Sequence, residues 1–158
     1  MISTTSRAIA VIALLFAFFA VLCGESGDAA AKMRQDRLTL VTAGGERQIA
    51  VEVAETPEEQ AMGLMFRTAL DDGQGMLFAH PVARELNMWM RNTYIPLDMV
   101  FIRADGIVHR IEVRTEPMSE RIIASEGDVL AVLELAGGAA QRLGLKVGDR
   151  VRYGSMFP

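Results

Sequence analysis

The sequence predicts a mainly β (α+β) domain, a compact antiparallel β-sandwich or barrel-like arrangement with two short helices. Three observations predict this class. Short apolar segments with a period of two recur along the chain, glycine- and aspartate-rich turns separate them, and only two brief segments carry helix signals. Because long helices do not alternate with the strands, a parallel α/β sheet is not expected.

Residues 1–31 are predicted to be a signal peptide. Arg7 precedes an uncharged apolar run over residues 8–24, and small residues at 29–31 suit cleavage after Ala31. We therefore expect an exported protein, periplasmic or secreted, without a transmembrane segment once the leader is removed. A lipid anchor on Cys23 is the alternative, although Leu22 stands where a small residue would be expected.

Cysteine content and charge exclude several function classes. The chain has one cysteine, so cleavage after Ala31 leaves none for disulfides, nucleophiles, zinc or iron–sulfur clusters. The net charge is −4 and the basic residues are dispersed, which argues against nucleic acid as a partner.

The domain is expected to span residues 38–155 after a linker at 32–37. Residues 38–42 and 49–53 alternate in polarity on either side of Gly44-Gly45, which predicts a hairpin. Thr56 before Pro57, with Glu59 three residues after the cap, then predicts a helix from Pro57 to near Gly63.

The remaining elements follow from alternation and turn residues. The loop 71–75 precedes a brief strand, the bend 92–96 follows a strand over 87–90, and Ala104-Asp105-Gly106 joins a second hairpin. The almost wholly apolar run over residues 129–135 indicates a strand that is buried on both faces. The predicted strands and helix of this half are 76–78, 87–90, 98–103, 107–113, 129–135, helix 139–143 and strand 150–153.

Nucleophilic and nucleotide-dependent catalysis lack their usual motifs. The two histidines are His80, predicted to lie in a loop, and His109, predicted to lie in a strand, and no Gly-x-Ser-x-Gly segment accompanies them. No glycine-rich phosphate loop follows a strand. We therefore expect no cofactor.

Two carboxylates leave a hydrolase possible. Glu134 lies within an apolar run, and Asp98 follows the bend at 92–96. A buried carboxylate needs a partner or a raised pKa. Either Asp98 and Glu134 bond Arg67, Arg91 or backbone amides and stabilise the core, which we favour, or they form a glycan-directed hydrolase or lyase.

Methionine and aromatic side chains suggest two further kinds of site. Met88 and Met90 share a strand face, and Met62 and Met65 are one helical turn apart, so thioethers could bind Cu(I) in a soft-metal carrier. Core filling explains the same spacings, and no metal site is predicted. Trp89 is either a core anchor or part of a groove.

Several motifs in order resemble the exported bacterial and archaeal family called domain of unknown function 192. The motifs are Val51 to Gln60, Gly63 to Arg67, Gly75 to Phe78, Trp89 to Thr93, Ile95 to Asp98, Val132 to Glu134 and Gly148-Asp149. Arg91 stands where that family often has lysine, and Met88 where it often has an aromatic residue. The resemblance implies a β-rich, usually exported domain without an established activity.

The most characteristic positions of that family are carried over as candidate binding residues. They are Arg67, Trp89, Asn92, Thr93, Asp98 and Glu134, with Pro96 in the same segment. The preferred hypothesis is a non-enzymatic module of the cell envelope that binds a small ligand or an envelope protein beside residues 89–98. Catalysis stays open.

Overall fold

A computed structural model describes residues 33–157, which belong to one compact unit. None of the helices within these residues has the length and apolar character needed to cross a bilayer. The mainly β class with two short helices is confirmed. The elements are β1 Arg34–Thr42, β2 Gly45–Ala54, α1 Pro57–Met62, β3 Gln74–Arg84, β4 Asn87–Met88, β5 Leu97–Ile102, β6 Val108–Glu112, β7 Ile123–Ala124, β8 Val129–Ala136, α2 Ala139–Arg142 and β9 Arg150–Arg152.

Seven strands form one curled sheet in the order β6-β5-β8-β3-β2-β1-β9. A bridge between Ile107 and Arg150 brings the two outer strands of the sheet close together, so the sheet is a half-barrel. The predicted hairpins β1–β2 and β5–β6 are confirmed, as are the buried strand β8 and the final strand β9.

The first hairpin begins earlier than predicted. Residues 34–37 were predicted to be a linker but are the first half of β1, where Arg34 pairs with Val53 and Arg37 with Ala50. Their side chains are exposed, so polar residues here are compatible with strand pairing. The prediction was wrong because polarity was taken to indicate a linker.

The helix α1 connects two parallel strands, β2 and β3. Its predicted capping box is present: the Glu59 amide donates to Thr56 Oγ1 at 3.2 Å, and Glu59 Oε2 accepts from the Thr56 amide at 3.0 Å. No residue of α1 is buried. Gln60 Nε2 instead holds the helix to the sheet by donating to the backbone oxygens of Ala54 and Ala79.

The segment between β3 and β5 differs most from prediction. β3 extends to Arg84, so His80 lies in a strand and not in a loop. The strand expected over 87–90 is limited to β4, which pairs only with the short β7. β7 was not predicted, because two residues are too few to show a period.

Hydrophobic residues occupy both faces of the sheet. The inner core, inside the curl, includes Leu77, Val100, Leu133 and Phe157. The outer core, on the other face, includes Met76, Phe78, Met99 and Val132 and is covered by Leu64, Leu86 and Met90 from the connecting segments. Since β8 contributes alternate residues to both cores, its uninterrupted apolar sequence has a structural cause.

Candidate functional site

A cavity of about 320 Å³ opens on the outer face of the sheet. It lies between α1, the end of β3 and the segment that follows β4. Its size is at the lower end of the range for small-molecule sites, about 300–1,000 Å³. The lining residues include Met62, Leu64, Met65, Phe78, His80, Arg84, Leu86, Met88, Trp89, Arg91, Thr93 and Glu134.

Glu134 is the acidic residue of the lining, and its side chain is buried with 4% exposure. It lies on β8 directly opposite Met76 of β3 and Met99 of β5, both fully buried. Within residues 33–157, its Oε2 atom has no hydrogen-bond partner. Burial among apolar groups raises the pKa of Glu134 to about 8, so the carboxyl is mainly protonated at neutral pH.

His80 and Arg84 line the same cavity from β3. Burial lowers the pKa of His80, and the nearby Arg84 guanidinium lowers it further. The imidazole is therefore neutral at pH 7. Arg84 is exposed and has no ion pair within the described residues.

Trp89 and Arg91 lie at the opening. Trp89 is the only tryptophan of the chain and is 44% exposed, so it is not a core anchor. The Arg91 guanidinium lies 5.4 Å from the centre of the Trp89 ring and also pairs with exposed Glu120 at 3.3 Å. The exposed part of the indole is available for apolar contact in the cavity.

Thr93 and Asn92 have different roles in the bend after β4. Thr93 is buried, lines the cavity and donates from Oγ1 to the Arg91 backbone oxygen at 3.3 Å. Asn92 does not line the cavity. Its φ of 55° is in the left-handed region, which asparagine tolerates, and its backbone oxygen accepts from the Phe66 amide at 2.8 Å.

Arg67 and Asp98 lie outside the cavity. Arg67 pairs with Glu52 at 2.7 Å on the sheet surface. Asp98 is fully buried and accepts hydrogen bonds from three backbone amides, those of Arg114, Gly138 and Ala140, at 2.8–2.9 Å. Asp98 therefore fixes the start of α2 and the segment after β6.

The two carboxylates of the alternative hypothesis, a glycan-directed hydrolase or lyase, point to opposite faces of the sheet. Residues that are directly opposite on neighbouring strands share a face. Asp98 pairs with Leu135 of the inner core, whereas Glu134 pairs with Met99 of the outer core. Asp98 and Glu134 therefore cannot act on the same substrate bond.

The sequence matches the family DUF192, described as Uncharacterized ACR, over residues 39–153. This match covers most of the chain. The chain belongs to DUF192. The predicted resemblance is therefore confirmed, and no curated protein matches the DUF192 chain.

Two crystal structures resemble this DUF192 protein closely. One, from Sinorhizobium meliloti, is described by its investigators as a proposed transcription regulator. It is 42% identical, with a TM-score of 0.74, and the match covers 77% of this chain and 95% of that one. The other, from Novosphingobium aromaticivorans, is a protein of unknown function that is 38% identical, with a TM-score of 0.76 and coverage of 84% and 94%.

Three of the six predicted site residues of the DUF192 domain line one cavity. These are Trp89, Thr93 and Glu134, whereas Arg67, Asn92 and Asp98 do not line it. Sequence reasoning missed Arg84 and assigned His80 to a loop. Continuing the alternation of Met76 and Phe78 by two residues would have placed His80 on the outer face, the same face as Glu134.

Six methionines of the DUF192 domain form two groups. Met76, Met90 and Met99 are fully buried in the outer core, as core filling predicts. Met62, Met65 and Met88 line the cavity together with His80. Within residues 33–157, no group of three or more His, Cys, Asp or Glu side chains could hold a metal ion.

Proposed function

We propose that this DUF192 protein is an exported, non-catalytic module that binds a small ligand in the cavity above Glu134. The observation that carries the proposal is the unpartnered carboxyl of Glu134 inside an otherwise largely apolar cavity. A buried polar group without a hydrogen bond costs roughly 1–3 kcal/mol. A ligand that supplies the missing partner removes this cost, which favours binding.

A binding role is preferred to hydrolysis because the cavity lining, among residues 33–157, has one carboxyl and no second acid or activated nucleophile. The inferred export depends on the sequence alone, on Arg7, the apolar run 8–24 and the small residues before Lys32. The S. meliloti relative is described as a proposed transcription regulator, but the acidic net charge of −4 gives no support to DNA binding by this chain.

The test is a ligand screen that is read by thermal stability and by Trp89 fluorescence. A ligand that binds the native state raises its unfolding midpoint by mass action. Because Trp89 is the only tryptophan and lines the cavity, its emission reports occupancy there directly. We expect at least one envelope metabolite or sugar to change both signals.

Two variants of α1 distinguish the cavity from the rest of the surface. Ala61→Phe places a ring in the cavity lining, whereas Glu58→Phe places the same ring on the same helix outside the lining. Ala61→Phe should abolish the ligand response and Glu58→Phe should retain it. An equal response from both folded variants would show that the ligand binds elsewhere and would refute the proposal.

Mass spectrometry of the protein made in a bacterial host tests export. A mature chain that begins at Lys32 in the periplasm or the medium is the expected product. A full-length cytoplasmic chain would contradict export, and a lipid on Cys23 would replace the soluble form by an anchored one.

A soft-metal carrier is the second candidate function. Met62, Met65, Met88 and His80 line one cavity, and thioethers with imidazole are suitable ligands for Cu(I). Silver(I), a redox-stable substitute, should then change Trp89 emission with one-to-one stoichiometry. Met88→Leu should weaken this change and Met156→Leu, which is outside the cavity, should not. The absence of any Ag(I) response removes this candidate.

A further inference from the structure

The cavity wall combines positive charge with a neutral acid. Arg84 and Arg91 are its cationic residues, and Glu134 is its acidic one. Arg91 has an exposed acidic partner in Glu120, whereas Arg84 has no ion pair within residues 33–157. With Glu134 protonated and His80 neutral, the net formal charge of the described lining at pH 7 is positive and comes from Arg84 and Arg91.

Glu134 and Arg84 provide hydrogen-bond donors in the cavity lining. A protonated carboxyl offers one O–H, and Glu134 Oε2 has no acceptor within the described residues. The Arg84 guanidinium adds N–H donors at the exposed end of β3. A ligand that presents oxygen acceptors near Glu134 and negative charge near Arg84 would satisfy both groups.

Apolar side chains form most of the remaining wall. Leu64, Phe78 and Leu86 are buried there, and Met62 and Trp89 are about half exposed at the opening. Next to the opening, Phe66 and Tyr94 pack edge to face with their ring centres 6.0 Å apart. The cavity volume of about 320 Å³ suits a single ring or a short acyl chain.

From this arrangement we propose that the ligand is a small organic anion with an apolar body, such as a monocarboxylate, whose oxygens accept from Glu134 and pair with Arg84. This inference depends on the proposed function, because it specifies the ligand of the same cavity. The apolar body then contacts Trp89 and Met62 at the opening.

Three probes that share one benzene ring separate the charge classes: benzoate, benzyl alcohol and benzylamine. The protein as purified is titrated with each probe while Trp89 emission and the unfolding midpoint are recorded. Benzoate should bind at least about tenfold more tightly than benzylamine. Tighter binding of benzylamine would overturn the anion inference and leave a small-ligand function standing.

Variants at Glu134 determine whether its O–H is the donor. Glu134→Leu, which removes the donor, should weaken benzoate binding about tenfold, and Glu134→Gln, which supplies an amide N–H, should rescue it. If Glu134→Gln instead abolishes binding of a cationic probe, the carboxylate form binds the ligand and the inference is wrong.

Arg84→Gln should weaken benzoate binding, and Arg47→Gln on β2 is the matched control.

The pH dependence provides a further readout. His80, Arg84 and Arg91 are the other titratable groups of the lining, whereas α1 and β5 present none to it. Glu52 and Glu112 lie on the same face of the sheet as Glu134 but two strands away from it, and each is paired with an arginine.

Benzoate affinity should fall as pH rises through about 8 in the wild type but not in Glu134→Gln. An equal fall in both proteins would overturn the role of Glu134.

The outcomes distinguish failure of this inference from failure of the proposed function. If none of the three probes binds but another compound binds in the screen and is blocked by Ala61→Phe, only the inference fails. If no compound binds and Ala61→Phe behaves as Glu58→Phe does, the small-ligand function fails with it.

Discussion

Two buried acids on neighbouring strands have opposite environments. Asp98 receives three backbone N–H groups, so it fixes the positions of two backbone segments, the start of α2 and the residues after β6. Glu134 receives none within residues 33–157 and faces a cavity. Both side chains are buried acids, and their hydrogen-bond partners distinguish them: Asp98 holds backbone in place, whereas Glu134 Oε2 has no partner within the described residues.

Glu134→Gln should change how stability depends on pH. The folded pKa of Glu134 is about 8, above its usual 4.5, so folding holds the carboxyl neutral where the unfolded chain ionises. This group therefore reduces stability progressively as pH rises from about 4.5, until the loss levels off above about 8. Glutamine does not titrate, so Glu134→Gln does not lose this stability as the pH rises.

Urea denaturation of both proteins at several pH values measures this effect. The free energy of unfolding of Glu134→Gln, relative to wild type, should rise by several kcal/mol between about pH 5 and about pH 9. Other groups, His80 included, contribute equally to both proteins and cancel in the difference. A difference that is flat with pH would mean that Glu134 is ionised in the folded state.

Asp98→Asn should destabilise the fold without altering the cavity. One of the two oxygens becomes an NH₂ group that faces a backbone donor, and the cost should be about 2–3 kcal/mol by urea denaturation. The exposed Asp128→Asn is the control and should be nearly neutral. Since Asp98 faces the inner core, folded Asp98→Asn should still give the cavity ligand response. Loss of that response alone would contradict this assignment.

At the level of elements, the contact between β3 and β8 determines where Glu134 lies. Gly75 on β3 pairs with Leu135, and a Cβ atom at position 75 would lie 2.6 Å from the backbone oxygen of Glu134. Such a distance is too short for any carbon–oxygen contact. Only glycine, which has no Cβ atom, lets β3 and β8 approach this closely at position 75.

Gly75→Ala should therefore destabilise the protein by about 1–3 kcal/mol or more, because backbone must move to admit the methyl group. Gly73→Ala is a matched control two residues earlier, where no atom lies within 4 Å of the added carbon. Its effect should be small or favourable. Thermal unfolding of both variants makes the comparison, and equal midpoints would disprove the close approach.

Element boundaries were predictable where local chemistry sets them. Thr56 and Glu59 specify the start of α1 by reciprocal hydrogen bonds, and Pro57 is suited to its first position. The pairing of β4 with β7 was not predictable, because it joins residues 87–88 to residues 123–124 and no local pattern marks either strand. The extension of β3 past Pro81 was missed because proline is uncommon inside paired strands.

At the level of the whole molecule, the two cores are connected by the strands that they share. Alternate residues of β8 enter the inner and outer cores, as Leu133 and Val132 do. Loss of packing on one face therefore weakens the sheet that supports the other. The inner and outer cores should unfold together.

Leu133→Ala tests this coupling. The deletion of a fully buried leucine from the inner core should cost about 2–5 kcal/mol. Trp89 emission reports the outer face and far-ultraviolet circular dichroism reports the whole sheet, so both midpoints should fall by the same amount. Val82→Ala, at an exposed position, should change neither. Separate transitions would show that the two faces unfold independently.

The fold was more predictable than the site. Strand period, turns and caps are local, and they specified most of the strands and both helices. The cavity depends on long-range register, which brings Glu134 of β8 opposite Met76 of β3 and under Trp89. The sequence shows Glu134 within an apolar run and Asp98 after a bend, but only strand pairing shows that they face opposite sides of the sheet.

The position of Glu134 also has a consequence for misfolding. A slip of β8 by one residue would turn every side chain to the other face, and Glu134 would enter the inner core while Leu133 and Leu135 left it. A purely apolar β8 would tolerate such a slip with little penalty. The acid makes a one-residue slip costly, so the residue that lines the cavity also favours the correct alignment of the central strands during folding.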